Sequence, residues 1–430
     1  MAYQFYISKF FQRVISKSSL HGAYHLSAPK HTMFERYLWG TLIVSTVLYS
    51  SYLITLFWIR YLTNPTVISL DRNYHEWNTT FPSITVCFHD RLNTTARDIL
   101  IQRMKPKNAT KFMEFLNLLA ETDISNFDQL IEFDEYSNLD LEAILNAVVN
   151  QIHVNVTLSN GMEAKFHRII SELGVCYTFN SAILRYLSVG TNVSNNSSQE
   201  LVEISIIERE TTAALNNLSC NGNIFYHGPF EVPTFLKKLV VPSSASAFVK
   251  MSFKPVIIMA DATIENLYVK QRNCRYPHES NLQLFPEIYS YSLCSLECKL
   301  TQFLETCGCV PHLYKFGGFP MCSLGNLGCV SKNLLKVHQN ASSCGCLKDC
   351  TLINFTLQSY LLLDWFNSPL IKWDIAVSKI RYSRRIIFNF SDAMVSTGGI
   401  AALFFGASFV TLAEIMFLIV KTAITQEKKI

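Results

Sequence analysis

AMVSTGGIAALFFGASFVTLAEIMFLIV, running from Ala393 to Val420, has Glu414 as its only ionisable side chain. A straight helix over these residues is about 42 Å long, whereas the hydrocarbon core of a bilayer is about 30 Å thick. The segment must tilt or break. A break is cheapest at Gly398-Gly399 or at Gly406-Ala407-Ser408, because glycine costs about 1 kcal/mol in a helix relative to alanine. Non-helical backbone at membrane depth survives only where protein buries it or where it lines water. An acid at the centre of a membrane helix costs about 2.5–3.5 kcal/mol. A wet axis shared between subunits meets both conditions. A single-pass anchor, with small residues at a helix contact and Glu414 near the interface, is the competing reading, and this stretch alone leaves both open.

Over the whole chain, 49% of the 430 residues are hydrophobic and 16% charged, with a mean hydropathy of +0.18. That balance is too apolar for an ordinary soluble protein, so membrane segments take precedence. Tyr37 to Ile59 is uncharged and long enough to span, with Trp39 and Trp58 near its ends as interfacial aromatics. Lys9, Arg13, Lys17, Lys30 and Arg36 precede it, and Lys421, Lys428 and Lys429 follow the second apolar stretch. The positive-inside bias predicts both termini in the cytoplasm. No apolar run with a small-residue cleavage site follows the early charges, so a cleaved signal peptide is not expected. A net charge of +4 gives no argument for nucleic acid. The expected organisation is a cytoplasmic tail (1–36), a first membrane helix (37–59), an extracellular domain (60–390), a second membrane segment (391–420) and a short cytoplasmic tail (421–430).

All thirteen cysteines fall between Cys87 and Cys350. Asn-X-Ser/Thr sequons begin at Asn78, Asn93, Asn108, Asn155, Asn192, Asn195, Asn196, Asn217, Asn340, Asn354 and Asn389. Together they indicate an oxidising, extracellular middle. Asn78, Asn93, Asn108, Asn155, Asn192, Asn217, Asn340 and Asn354 are the glycosylation candidates. Phe81 to Cys87, Gly174 to Asn180, Val202 to Ile207, Ile224 to His227 and Ala247 to Phe253 read as strands. Residues 96–150 are helical in period, through Phe112, Phe115, Leu116 and Leu119 and then Leu141, Ile144, Leu145 and Val148. Asp134, Glu135, Asp140 and Glu142 read as a solvated face. Arg381, Arg384 and Arg385 suit either the outer headgroups or a vestibule. The fold class expected is a membrane protein of α+β type. Two transmembrane helices flank a disulfide-rich extracellular domain with a β-rich body and attached helices.

Cysteine spacing carries a sharper argument. Cys294 and Cys298, at i and i+4, share one face of a helix about 6 Å apart. Cys344 and Cys346, at i and i+2, share one face of a strand about 7 Å apart. An antiparallel match pairs Cys294 with Cys346 and Cys298 with Cys344, and Cys274–Cys350 extends the ladder. Cys307, Cys309, Cys322 and Cys329 close the intervening loop locally. Each such bond contributes about 2–4 kcal/mol. Zinc is the competing reading, but histidines at ligand spacing are lacking, so no metal is expected. No paired-acid, Ser/His/Asp or phosphate-cradling arrangement stands out, so an enzyme is not expected; Gly406-Ala407-Ser408-Phe409-Val410 lacks the second glycine of a nucleophile elbow.

At this point the chain resembles the degenerin and epithelial sodium channel family, and within it the insect pickpocket branch. The matching residues are His21-Gly22, Phe81 to Cys87, Gly174 to Asn180, the cysteines from Cys274 to Cys350, Gly398-Gly399, Gly406-Ala407-Ser408 and Glu414. The resemblance covers nearly the whole chain. It implies a trimeric, amiloride-sensitive cation channel of the plasma membrane, gated from outside, with sodium as permeant ion and no cofactor. By resemblance Gly406, Ala407 and Ser408 form the selectivity filter, and three copies of Glu414 ring the inner pore. His21-Gly22, which alone reads as a turn, takes on a gating role. Val395, Ser396, Gly398 and Gly399 fall at the gate. The resemblance implies the pairs Cys87–Cys176, Cys274–Cys350, Cys294–Cys346, Cys298–Cys344, Cys307–Cys329 and Cys309–Cys322, leaving Cys220 over. Three departures matter. Ser396-Thr397 replaces an acid common before the Gly-Gly pair, Ala402 replaces a mid-helix glycine, and Val395 replaces a small residue. The partners expected are a lipid bilayer and related subunits, as a homotrimer or heterotrimer, with no nucleic acid. The alternative function is a non-conducting accessory or receptor subunit that needs a related partner. An ATP-gated type of channel shares the topology but not this cysteine order.

Overall fold

The computed structural model describes residues 19–27, 32–72, 77–151, 155–158, 163–187, 201–205, 212–216, 222–234, 238–241, 247–314, 319–340, 343–364, 370–376 and 378–427. Cys220, Trp365, Asn192, Asn195, Asn196, Asn217 and the terminal lysines Lys9, Lys17, Lys428 and Lys429 lie outside them, as do Arg13 and Lys30. The chain divides into two compact units. Met1–Val67, Asp261–Asn273 and Arg385–Ile430 form one, and Ile68–Ala260 with Cys274–Arg384 forms the other. The principal helices are α1 (Ala23–Ser27), α2 (Met33–Thr63), α3 (Thr94–Met104), α4 (Ala109–Glu121), α5 (Leu141–Val148), α6 (Tyr291–Cys307), α7 (Leu327–Asn340), α8 (Phe390–Phe405) and α9 (Phe409–Glu427). The principal strands are β1 (Thr66–Asp71), β2 (Ser83–Phe88), β3 (Asn155–Leu158), β4 (Glu163–Lys165), β5 (His167–Ser171), β6 (Gly174–Phe179), β7 (Thr212–Asn216), β8 (Gly222–His227), β9 (Lys238–Val241), β10 (Ala247–Ala260), β11 (Leu352–Asp364), β12 (Leu370–Ile375) and β13 (Arg381–Ile386).

The second unit is built on two sheets. One runs β1-β13-β10-β12-β7-β3-β4 with β11 also paired to β10, and the other runs β9-β8-β2-β6-β5. Side-chain alternation decides how they meet. Ile84, Val86 and Phe88 of β2, with Tyr177 and Phe179 of β6, pack with Val249, Met251, Phe253, Ile371 and Trp373 of the larger sheet. Cys87 and Cys176, on the opposite face, pack into a second core shared with the helices. Every residue of β2 and β6 is buried as a result, because a sheet covered on both sides has no solvent face.

The helical stretch buries one stripe per helix. α4 buries Phe112, Phe115, Leu116, Leu119 and Ala120, the i, i+3, i+4, i+7 spacing of an amphipathic helix. Each large side chain so buried contributes about 1.5–3 kcal/mol. Asn108 caps it by accepting from Lys111 N–H. The acids here do more than face solvent. Asp140 caps α5 by accepting from Glu142 and Ala143 N–H. Asp134 accepts from Gly325 N–H at 2.6 Å, and Ser137 Oγ from Leu324 N–H at 3.2 Å, which ties this stretch to the turn before α7. Sequence periodicity carries no sign of that second partner, 191 residues away. Among the glycosylation candidates, Asn78, Asn108 and Asn340 are exposed, and Asn93 and Asn354 are half-buried.

Six disulfides staple this unit: Cys87–Cys176, Cys274–Cys350, Cys294–Cys346, Cys298–Cys344, Cys307–Cys329 and Cys309–Cys322. α6 buries Leu293, Leu296, Leu300 and Phe303 on one side and carries Cys294 and Cys298 one turn apart. Cys344 and Cys346, however, do not lie on a strand. Gly345 between them has φ +66°, in the left-handed region that breaks a strand. The ladder therefore joins a helix to an irregular loop.

Asp349 sits beside the last rung and accepts from Tyr291 N–H at 2.9 Å. Burial, with a smaller push from Glu231, raises its carboxyl from 3.8 to about 6 against the pull of that N–H. Between those values the folded chain binds more protons than the unfolded one, so this group's stability contribution falls as pH rises through about 6. Asp349→Asn keeps the acceptor and removes the charge. It is made with Thr351→Val, since an asparagine two residues before Thr351 would create a new sequon. Relative to Thr351→Val alone, the pair of changes is expected to stabilise the protein at pH 7.5 by about 1–3 kcal/mol and to have little effect at pH 4.5. Parallel melting curves at both pH values would contradict the assignment.

The first unit holds the long apolar helices. α2 opens on a capping box in which Thr32 and Glu35 exchange bonds, and it runs to Asn64, whose N–H bonds Arg60 O. α8 opens on a second box between Asn389 and Asp392. Pro65 O accepts from Ile387 and Phe388 N–H, joining the two helix ends. Tyr49 meets Phe404 edge-on at 5.8 Å and Phe57 stacks on Phe388. Of α8, only Ala393 and Ile400 are buried.

Candidate functional site

The apolar stretch at 393–420 breaks once. α8 and α9 meet at 66° across Gly406-Ala407-Ser408. By length and composition α2 is able to cross a membrane alone, and α8 with α9 as one bent pair. Gly398-Gly399 is not a break: α8 runs straight through both, since two glycines cost helix propensity but leave every N–H in place.

Gly406 is where the chain must turn. Its φ is +61°, and its N–H bonds Ala401 O and Ala402 O, closing α8 with a left-handed cap. α9 then starts on a reciprocal pair: Ser408 N–H donates to Thr411 Oγ1 at 2.7 Å and Thr411 N–H to Ser408 Oγ at 3.2 Å. A helix end leaves carbonyls without partners. One is met by a distant part of the chain, since His21 N–H donates to Phe405 O at 3.0 Å. A Cβ on Gly406 would lie 2.6 Å from the His21 ring. The imidazole thus rests directly on the glycine. Two residues earlier, Ser19 Oγ donates to Glu414 Oε2 at 2.5 Å. Four residues later, His25 stacks on Trp39 of α2 at 4.3 Å.

Sequence-expected residues thus separate into two groups. His21, Gly22, Gly406, Ala407, Ser408 and Glu414 come together around the break. Val395, Ser396, Gly398 and Gly399 lie two to three turns earlier on α8, Val395 at 74% exposure. A Cβ on Gly398 or Gly399 would meet nothing within 4 Å in the single chain. Sequence reasoning missed Ser19 and Thr411. A residue two before His-Gly carries no signal, but Ser408-X-X-Thr411 is a readable helix start. No described residue of α9 is buried, and Leu403, Phe409, Val410 and Met416 are largely exposed. An apolar helix with this much exposed surface has a second surface to meet, lipid or another copy of the chain.

A family model described as amiloride-sensitive sodium channel matches residues 14–418. The chain is 21% identical to the sodium channel protein Nach of Drosophila melanogaster, over 96% of this chain and 87% of that one. It is 22% identical to Pickpocket protein 11 of the same fly, over 95% and 75%. It is 24% identical to the human bile acid-sensitive ion channel, over 93% and 83%.

Proposed function

Because this chain belongs to the amiloride-sensitive sodium channel family, a family of ion channels and not of enzymes, we propose that it is a pore-forming subunit for sodium. Three copies surround a pore in the plasma membrane, and α8 and α9 of each line it. Both termini face the cytoplasm, residues 60–390 lie outside, and ions pass down their gradient without a cofactor. The carbonyls of Gly406 and Ala407 and the Ser408 hydroxyl form the constriction, replacing part of the ion's hydration shell. A ring of Glu414 beneath it attracts cations. His21-Gly22 braces the constriction from below, and the α8 stretch from Val395 to Gly399 is the gate. Amiloride blocks the open pore.

The observation that carries this reading is the break at Gly406 closed by a segment from the other end of the chain, through His21 N–H on Phe405 O. A plain anchor has no use for that arrangement. A second reading is that the chain is an accessory subunit that opens only beside a related one.

Whole-cell recording in cells expressing this chain alone tests both readings. An amiloride-sensitive sodium current is expected, larger when Val395 is exchanged for a residue that props the gate open. Surface protein without current in either form, but with current on co-expression of a related subunit, would replace the first reading by the second.

A further inference from the structure

Asp392 is the only ionisable side chain on α8. It stands three residues before Val395, four before Ser396 and seven before Gly399, so these four share one side of the helix. The same side continues to Leu403. It is open in the single chain: Val395 is 74% and Leu403 77% exposed, and a Cβ on Gly399 would meet nothing within 4 Å. Ala393 and Ile400, the two buried residues of α8, lie about a quarter turn round from Asp392. Measured along the helix, Asp392 is about 6 Å outside Ser396 and about 21 Å outside Gly406.

One oxygen of this carboxylate is committed and the other is not. Oδ2 accepts from Asn389 N–H at 2.8 Å, while Asn389 Oδ1 takes Asp392 N–H at 2.9 Å. Oδ1 has no hydrogen-bond or ion-pair partner among the described residues. Arg60, in the last turn of α2, lies over the Phe388 ring at 5.3 Å and not on this carboxylate. The cap itself has no need of a charge, because an amide oxygen accepts the same N–H equally well.

We propose that Asp392 sets how fast the pore passes cations: three copies of its carboxylate form a ring at the outer mouth, one turn outside the gate, and concentrate sodium there. The ring presupposes the pore reading above and adds to it a residue that acts on throughput. Ser396-Thr397 leaves the gate itself without an acid, so this is the one negative charge that α8 offers an ion entering from outside. A mouth lined by one sign of charge raises the local concentration of its counter-ion. That attraction decays over about 10 Å at 0.1 M salt and about 3 Å at 1 M. Its effect therefore belongs to dilute solution and to inward current.

Single-channel currents test this where the parent conducts, alone or beside a related subunit, in sodium at about 50 mM and about 1 M. Asp392→Asn keeps an acceptor for Asn389 N–H and removes the charge. It is expected to lower inward conductance about twofold to threefold in the dilute solution, outward conductance less, and neither at high salt. Asp392→Glu, which keeps the charge, is expected to conduct as the parent does. A residue that only caps the helix would leave Asp392→Asn unaltered at either concentration. Parent-like conductance of Asp392→Asn in dilute sodium, or a loss that persists undiminished at high salt, would overturn the proposal. If Asp392→Asn does not reach the surface, Asp392→Cys decides. A cationic thiol reagent applied outside is expected to lower its inward current and an anionic one to raise it; currents that move alike with both overturn the proposal. A parent silent in every combination overturns the pore reading and the ring with it, so the two failures stand apart.

Discussion

Gly406→Ala is expected to cut sodium current about tenfold or more while surface protein stays within about twofold of the parent. Two costs act together. At φ +61° a side chain adds about 1–2 kcal/mol of strain. The new Cβ also falls 2.6 Å from the His21 ring, a separation real contacts do not show, so the ring must move. The backbone N–H of the same residue donates to Phe405 O at this helix end, and that bond is expected to loosen as the residue shifts. The Ser19–Glu414 bond, two residues away, is expected to follow. His21→Ala removes the ring and hence the clash, though not the strain. The double variant should therefore carry more current than the product of the two single defects allows. The recording is made where the parent conducts, alone or beside a related subunit, with surface biotinylation in parallel. A strictly multiplicative double variant would mean that the ring and the glycine act separately.

Lys299→Met is expected to have the largest effect on folding. Lys299 Nζ donates to Glu172 Oε1 at 3.2 Å, with side chains 13% and 6% exposed, and Tyr314 OH donates to the same oxygen at 2.8 Å. Burial and the adjacent carboxylate hold the Tyr314 hydroxyl well above its ordinary value, so it stays a donor. Removing the lysine leaves a buried carboxylate with that phenol and the nearby His338, a loss of about 3–5 kcal/mol. The purified protein should melt about 5–10 °C lower, and surface delivery should fall in step. Adding Glu172→Gln removes the stranded charge while keeping an acceptor for Tyr314, and is expected to restore about half of the loss. A Lys299→Met protein that melts with the parent would show that the pair contributes nothing net.

How much of this was legible beforehand depends on the range of each interaction. That the segment must tilt or break follows from its length against bilayer thickness and needs only local residues, with Gly398-Gly399 and Gly406-Ala407-Ser408 as the two candidate places. So does the stripe of α4, and so does the one-turn spacing of Cys294 and Cys298 on α6. Spacing also suggested a strand for Cys344 and Cys346, where the left-handed Gly345 makes a loop. An i, i+2 pair fits either, and only the backbone angle distinguishes them. Gly398-Gly399 looked as breakable as Gly406, but propensity says where a helix is weak and not where something arrives to take over its carbonyls. Contacts that join distant positions left no trace: Ser19 on Glu414 spans 395 residues and Asp134 on Gly325 spans 191.

β1 and β13 are neighbours in the larger sheet, with Asp71 Oδ2 3.1 Å from Arg381 Nε and Ser69 Oγ donating to Ser383 O. The two strands come from distant parts of the sequence, 310 residues apart at the ion pair. Translation at about 5–20 residues per second therefore leaves β1 waiting roughly 15–60 s for its partner. Cys176 follows Cys87 by only 89 residues, so the first staple forms early, whereas this sheet edge closes last. A nascent chain halted between Cys350 and Arg381 already carries all six cysteine pairs but leaves β1 without its sheet neighbour, an unpaired strand of the kind that invites pairing with another chain.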